Sequence, residues 1–228
     1  MPFYLVNPNR VSYFKRNPNR MRSIRLSLLT TVASAAIGIF ASSMANAQAF
    51  KVEPQKPVFD DLPSPEFGTS KEKSFKPKDW LEIEASFKAQ MAPEPPSKTA
   101  ERILVKWYIA VENSNKRGTF LLLTKDVTHV NVPLDEEIYS SVYLSPASMR
   151  RITGTDRGGK RAVKAVGYEI LINGEKVATE SDGLPEGWWN KASEKISRTD
   201  TVPLLDKSET PFATMWWDRY AEILTESR

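Results

Sequence analysis

From Asp79 onward, hydrophobic and polar residues alternate with a period of two. Leu81, Ile83, Ala85 and Phe87 share one side of a predicted strand whose other side carries Glu82, Glu84, Ser86 and Lys88, the pattern of a sheet with one wet face. Pro93, Pro95 and Pro96 end it. Ile103, Val105, Trp107, Ile109 and Val111 then alternate with Leu104, Lys106, Tyr108, Ala110 and Glu112. Residues 113–118 read as a turn, and 119–132 return as a long strand whose Phe120-Leu121-Leu122-Leu123 run suits cover on both faces. A further strand is expected over 138–144. Ser145 offers an N-cap, Pro146 a first helical residue and Gly154 a stop, which predicts a short helix between them.

Val166, Tyr168, Ile170 and Ile172 form the next alternating face. Asn173-Gly174 follows, a strong hairpin signal because both central residues of a type I′ turn need positive φ. Residues 176–181 supply the partner strand. Near the end, Phe212, Met215, Trp216, Tyr220, Ile223 and Leu224 recur at helical spacing behind Thr210 as N-cap and Pro211 in the first turn, which predicts a C-terminal helix. Six or seven strands with helical additions place residues 79–228 in the mainly β class, as an antiparallel immunoglobulin-like β-sandwich. The Cys-Trp-Cys signature of antibody domains is absent, so the expectation concerns architecture alone.

The front of the chain breaks this pattern twice. Arg22 and Arg25 precede an apolar run from Leu26 to Phe40, and Ala45-Asn46-Ala47 follows as an A-x-A site. This is the layout of a secretory signal peptide over residues 1–47, with Met21 as a second candidate start. A spanning helix needs about 20 apolar residues, and here the run fades into Ala41-Ser42-Ser43. A type IV pilin would keep its apolar helix and carry a Glu soon after the cleavage point; none is present. The mature form is therefore expected to have no transmembrane segment. Residues 48–78 carry Pro54, Pro57, Pro63, Pro65 and Pro77 among charged residues. They read as an extended Pro-rich arm with local docking by Val58, Phe59 and Phe67.

Export reverses the charge argument. The full chain has a formal net charge of +4, but losing Arg10, Lys15, Arg16, Arg20, Arg22 and Arg25 takes 32 Lys and Arg to 26 against an unchanged 28 Asp and Glu. The mature net of −2 removes the case for a nucleic-acid partner. With no Cys and a single His, His129, a multi-His or thiolate metal site is excluded, and His129 is expected to be a strand residue. No catalytic residues, metal or cofactor are expected. Gly154 to Arg161 fits G-x-x-x-x-G-K, yet Arg161 stands where Ser or Thr should hold Mg²⁺, and a helix precedes where a strand should. Ser70-Lys71-Glu72-Lys73 matches S-x-x-K without its companion motifs.

Two features point to binding. Arg150, Arg151, Arg157, Lys160, Arg161 and Lys164 form a basic cluster with Asp156 as its local acid, suited to an acidic glycan, lipid headgroups or a partner's Asp135-Glu136-Glu137 loop. Trp188-Trp189 and Trp216-Trp217 are adjacent pairs; Trp188, Trp189 and Trp217 are candidates to stack on a sugar or anchor an interface. A bland reading stands beside each, a solvated loop for the cluster and core filling for at least one Trp of each pair.

The stretch Lys207-Ser208-Glu209-Thr210-Pro211-Phe212-Ala213, continued by Trp216-Trp217-Asp218-Arg219-Tyr220, resembles a family of exported verrucomicrobial pilus-like proteins of the kind found in Akkermansia. Genes of that family lie beside pilus-biogenesis genes. The resemblance runs from about Asp79 to Arg228. It implies an immunoglobulin-like sandwich, a periplasmic or cell-surface location in a Gram-negative-type cell, and a part in pilus assembly or adhesion. The residues and the resemblance together give an exported, non-catalytic module contacting other pilus or surface-assembly subunits, with self-association through the 48–78 arm. The alternative is a glycan-binding adhesin module. A small hydrolase built on two coupled carboxylates is a third reading.

Overall fold

A computed structural model describes residues 49–66, 68, 74, 76–155 and 159–225. In chain order they form β1 (Ala49–Pro54), β2 (Val58–Pro63), β3 (Asp79–Ala92), β4 (Thr99–Glu112), β5 (Phe120–Pro133), β6 (Glu137–Leu144), α1 (Pro146–Thr153), β7 (Val163–Ile172) and β8 (Glu175–Asp182). Three short strands follow: β9 (Ile196–Arg198), β10 (Leu205–Asp206) and β11 (Glu222–Ile223). One sheet runs β1-β3-β6-β10 with β2 also on β3, and the other runs β11-β5-β4-β7-β8 with β9 also on β5. All pairings are antiparallel except β5–β9. The architecture is the expected mainly β, immunoglobulin-like sandwich.

The alternating faces meet between the sheets. Leu81, Ile83, Ala85, Phe87 and Ala89 of β3 oppose Ile103, Val105, Trp107, Ile109 and Val111 of β4, all nearly or completely buried. Trp107 is the largest residue of this core. Its ring lies 5.2 Å from that of Tyr168, and its Nε1 donates across the sandwich to Ser140 Oγ at 3.3 Å. A buried indole N–H usually finds such a partner, although those of Trp188 and Trp189 have none. The Asn173-Gly174 turn has φ of 54° and 81°, as a type I′ hairpin requires. The helix is also where the caps put it: Ser145 accepts from the Ser148 backbone N–H, and Gly154 stops the helix at φ 78°.

Residues 49–63 of the extended arm, where local docking is expected, pair as strands of the first sheet. β1 pairs with residues 87–92 of β3 and β2 with 79–84 on the same side, so the two are one edge strand bent at 55–57. At the bend Gln55 N–H donates to Ser86 O at 2.9 Å, and Tyr168 OH donates to Gln55 O at 2.6 Å. Phe50, Val52 and Phe59 pack on the main core, whereas Val58 is exposed. Phe67 lies outside the described residues, as do the segment 1–47 expected to be a signal peptide, the Ser70–Lys73 motif and Arg157. Prolines deplete a central strand because they lack a donor, but an edge strand tolerates them.

The C-terminal helix is not formed. Residues 211–216 make successive turns, residues 217–219 a single 3-10 turn, and β11 then joins β5. The apolar residues that mimic helical spacing go to different places. Phe212 is buried against the outer face of the first sheet, stacked on Tyr143 at 5.4 Å with Trp80 edge-on at 5.7 Å. Ile223 instead pairs with His129 and packs on the main core.

A satellite cluster covers the outer face of the second sheet. Trp189 stacks on Tyr108 at 4.7 Å and 5° between planes, and Trp188 meets Trp189 edge-on at 5.6 Å. Gly167 makes room for this: a Cβ there would sit 2.2 Å from Trp189 Cζ3. Gly167→Ala is expected to lower stability by about 1–3 kcal/mol, the usual cost of overpacking, with a shift in tryptophan emission, both read from chemical denaturation followed by fluorescence.

His129 is completely buried, with Nδ1 3.4 Å from Ala221 O, and burial lowers its pKa to about 4. The unfolded chain takes up that proton near pH 6.5, so this contribution is complete above 6.5 and is lost as pH falls toward 4. The loss amounts to about 3 kcal/mol at most. In urea titrations from pH 7 to 4, His129→Leu should flatten the decline relative to the unaltered protein.

Candidate functional site

Among the described residues, the exposed large hydrophobic side chains are Val58, Trp216, Trp217 and Leu224. Three of these four belong to the C-terminal segment. Trp217 and Leu224 line a groove of about 500 Å³ together with Val130, Tyr220 and Ile223, and Lys207 contributes to its wall. Trp217 is 67% exposed, the most open of these.

The groove exists because of a clamp beneath it. Lys207 is buried, and its Nζ donates to Ala213 O at 3.3 Å and to Met215 O at 2.5 Å while standing 4.7 Å over the Tyr220 ring. Burial lowers its pKa from the ordinary lysine value, partly opposed by the charge of Glu82. An ammonium taken from water needs such acceptors. They fix the turn over 213–216, at whose end Trp216 holds a left-handed φ of 52°. Bulky residues rarely adopt that conformation, and it persists where surroundings enforce it. Trp216 then stacks over Phe212 at 6.3 Å while Trp217 projects outward. Asp206 starts this segment with a capping box to Glu209, and both carboxylates meet Lys125, at 3.1 and 2.5 Å.

The acids of the outer face are committed to structure. Tyr143 OH donates to Glu82 at 2.7 Å, and burial raises the Glu82 pKa. Glu84 pairs with Arg219 at 2.5 Å and accepts from Tyr220 OH. Arg219 in turn lies 3.7 Å over the Tyr139 ring. Glu84 thus ties the C-terminal segment to β3, Glu82 ties β3 to Tyr143 of β6, and neither belongs to the groove lining. No grouping of three or more His, Cys, Asp or Glu suited to a metal occurs among the described residues.

The other sequence candidates fare differently. Trp188 and Trp189 are buried, at 5% and 7% exposure, which removes both from any stacking site. They are adjacent yet both inside because Gly187, at φ 72°, turns the chain so that a 3-10 turn lays both rings on the sheet. The basic cluster is partly answered from within the molecule. Lys160 Nζ pairs with Asp60 at 2.7 Å; the Lys160 backbone N–H donates to Asp61 Oδ1 at 3.1 Å, and the Gly159 N–H donates to the same oxygen. The amides that a phosphate loop would turn toward its ligand therefore hold a carboxylate of β2. Arg151 donates to Thr201 O at 2.9 Å. Arg150, Arg161 and Lys164 are exposed. Sequence separation hid Asp60 and Asp61; the clustering of aromatic residues after Pro211 was the visible signal for the groove.

Asp61→Ala strips an acceptor from two backbone donors and is expected to cost about 1–3 kcal/mol. Lys160→Ala removes only an exposed ion pair and should leave the midpoint of thermal unfolding within error.

Comparison with known proteins agrees with this picture. Nothing among curated proteins matches the chain. A crystal structure from Akkermansia muciniphila superposes with a TM-score of 0.75 at 39% identity, covering 79% of this chain and 96% of that one. A family model matches residues 43–227. With the sandwich, the C-terminal segment and these matches in agreement, the chain belongs to the Akkermansia-type family of pilus-like proteins.

Proposed function

We propose that this protein is an exported, non-catalytic subunit or accessory of a pilus or other surface assembly, and that it engages other subunits through the C-terminal aromatic groove. The observation that carries the reading is Trp217, left 67% exposed at the rim of a groove of about 500 Å³ by a turn that a buried lysine holds in place. A rigid aromatic ring beside a concave apolar surface is the arrangement from which interface hot spots are made. Membership of a pilus-like family supports surface assembly over a soluble periplasmic role. Among the described residues no helix is long and apolar enough to cross a membrane. An acidic glycan is a second occupant for the same ring, with Trp217 as the one fully projecting tryptophan.

The test is fractionation of cells into periplasm and sheared surface material, with the intact mass of the protein in each. A mass beginning near Gln48 in high-molecular-weight sheared material is expected. Trp217→Ala should fold normally, because the ring is solvated, and should shift the protein at least tenfold toward the free fraction. Retention of Trp217→Ala in the assembly overturns the groove as the contact. Binding of the unaltered protein to an anionic glycan array, lost in Trp217→Ala, would favour the glycan instead.

A further inference from the structure

The bent edge strand β1–β2 carries a second interaction. We infer that it is an exchangeable element, donated from one copy of this chain to the β3 edge of another, so that copies link by strand exchange. The inference rests on the assembly reading but concerns a different face from the groove.

Four observations lead there. First, β1–β2 and β3 are antiparallel neighbours that roughly two to five residues would ordinarily join. Here the connection is residues 64–78. At up to about 3.3 Å per residue, its contour length reaches roughly 50 Å, further than one domain needs to place a strand on its own edge. Second, the strand lies at the end of the mature chain. The sequence puts cleavage after Ala47, two residues before β1 begins, so it can leave and dock elsewhere without threading a loop.

Third, the strand is held less firmly than the sheets it joins. Of residues 49–63 only Pro57 is buried, whereas the inward row of β3 is almost wholly inaccessible. Segments with few buried contacts are the ones that open first. Fourth, every bond that docks it is a bond between the strand and the body: the β3 ladder, Tyr168 OH to Gln55 O, and the 159–160 amides with Lys160 to Asp61 and Asp60. A second copy's strand offers all of these unchanged, including the match of acid to basic loop. This is the symmetry on which domain swapping depends, and it is strand addition to an exposed edge in chemical terms. The ladder runs one step beyond β2, with Ser64 N–H and Oγ donating to Lys78 O at 2.9 and 3.0 Å, and a donated strand would make this rung as well.

The chain has no cysteine, which makes the test clean. Glu53 and Lys88 are register partners with both side chains about half exposed. One full-length chain carries Glu53→Cys and another carries Lys88→Cys, and the two are co-expressed and exported together. Within a single chain neither thiol has a partner, so a link between the two introduced thiols forms only when the strand of one copy lies on the β3 of the other. Sheared surface material is treated with a short bis-maleimide and run under reducing conditions. The expected result is a covalent dimer of the two variants at several times its abundance in the monomeric fraction. The double variant in one chain shows that the two thiols can be bridged. Assembled material in which the double variant closes within each chain, while the mixed single variants stay monomeric, overturns exchange and leaves the groove reading intact. Absence of the protein from assembled material removes the assembly reading itself, and exchange with it.

Discussion

Unpaired backbone at the margin of a sheet is the constraint around which this fold is arranged. A sandwich of two sheets has open edges, each a row of donors and acceptors that water or another chain must satisfy. The edge of β3 is covered by β1–β2 and that of β6 by β10 and the Tyr139–Tyr220 bridge. β9 and β11 each cover one end of β5. β8 closes its side with a different device: it reads Glu-Lys-Val-Ala-Thr-Glu-Ser-Asp, charged enough to discourage another strand. The N-terminal segment, which composition sets apart as an arm, and the C-terminal segment, expected as a helix, are among these covers.

That division explains what could be read from residues alone. The strands of the core announce themselves because burial between two sheets imposes a strict period of two, and Asn173-Gly174 and Ser145-Pro146 mark their turns by local backbone chemistry. A cover strand obeys neither rule. β1–β2 needs a few apolar side chains and a free backbone, so Pro54, Pro57 and their charged neighbours conceal it; its partner is visible only once β3 is in place. The segment after Thr210 misleads for a related reason. Phe212 and Ile223 look like one helical face, but Phe212 is drawn to Tyr143 and Trp80 while Ile223 is drawn to β5. Periodicity records that residues will be buried, not that they will be buried by the same neighbour.

The candidate site shows the same limit at the scale of single side chains. Two adjacent tryptophan pairs, each followed by a polar and then a basic residue, end in opposite environments. Gly167 leaves a hollow on the second sheet that takes Trp189, whereas the Lys207 clamp turns Trp217 outward. The basic loop was legible as a charge cluster, but its acids lie far back in the chain, and a list of charges by position cannot show that part of the cluster is already spoken for. Of the sequence candidates, the fold buries Trp188 and Trp189 and leaves Trp217, Arg150, Arg161 and Lys164 at the surface.

The orientation of the edge strand also has a mechanical meaning. β1–β2 runs along β3 through paired residues from Ala49↔Ala92 to Pro63↔Asp79. A pull along the strand axis loads that whole ladder together, in shear. The same force applied across the axis peels the pairs one after another from the free end. A surface fibre lives under drag, so the resistance of any link made through this strand is set by the angle at which the tension arrives, more than by the number of bonds in it.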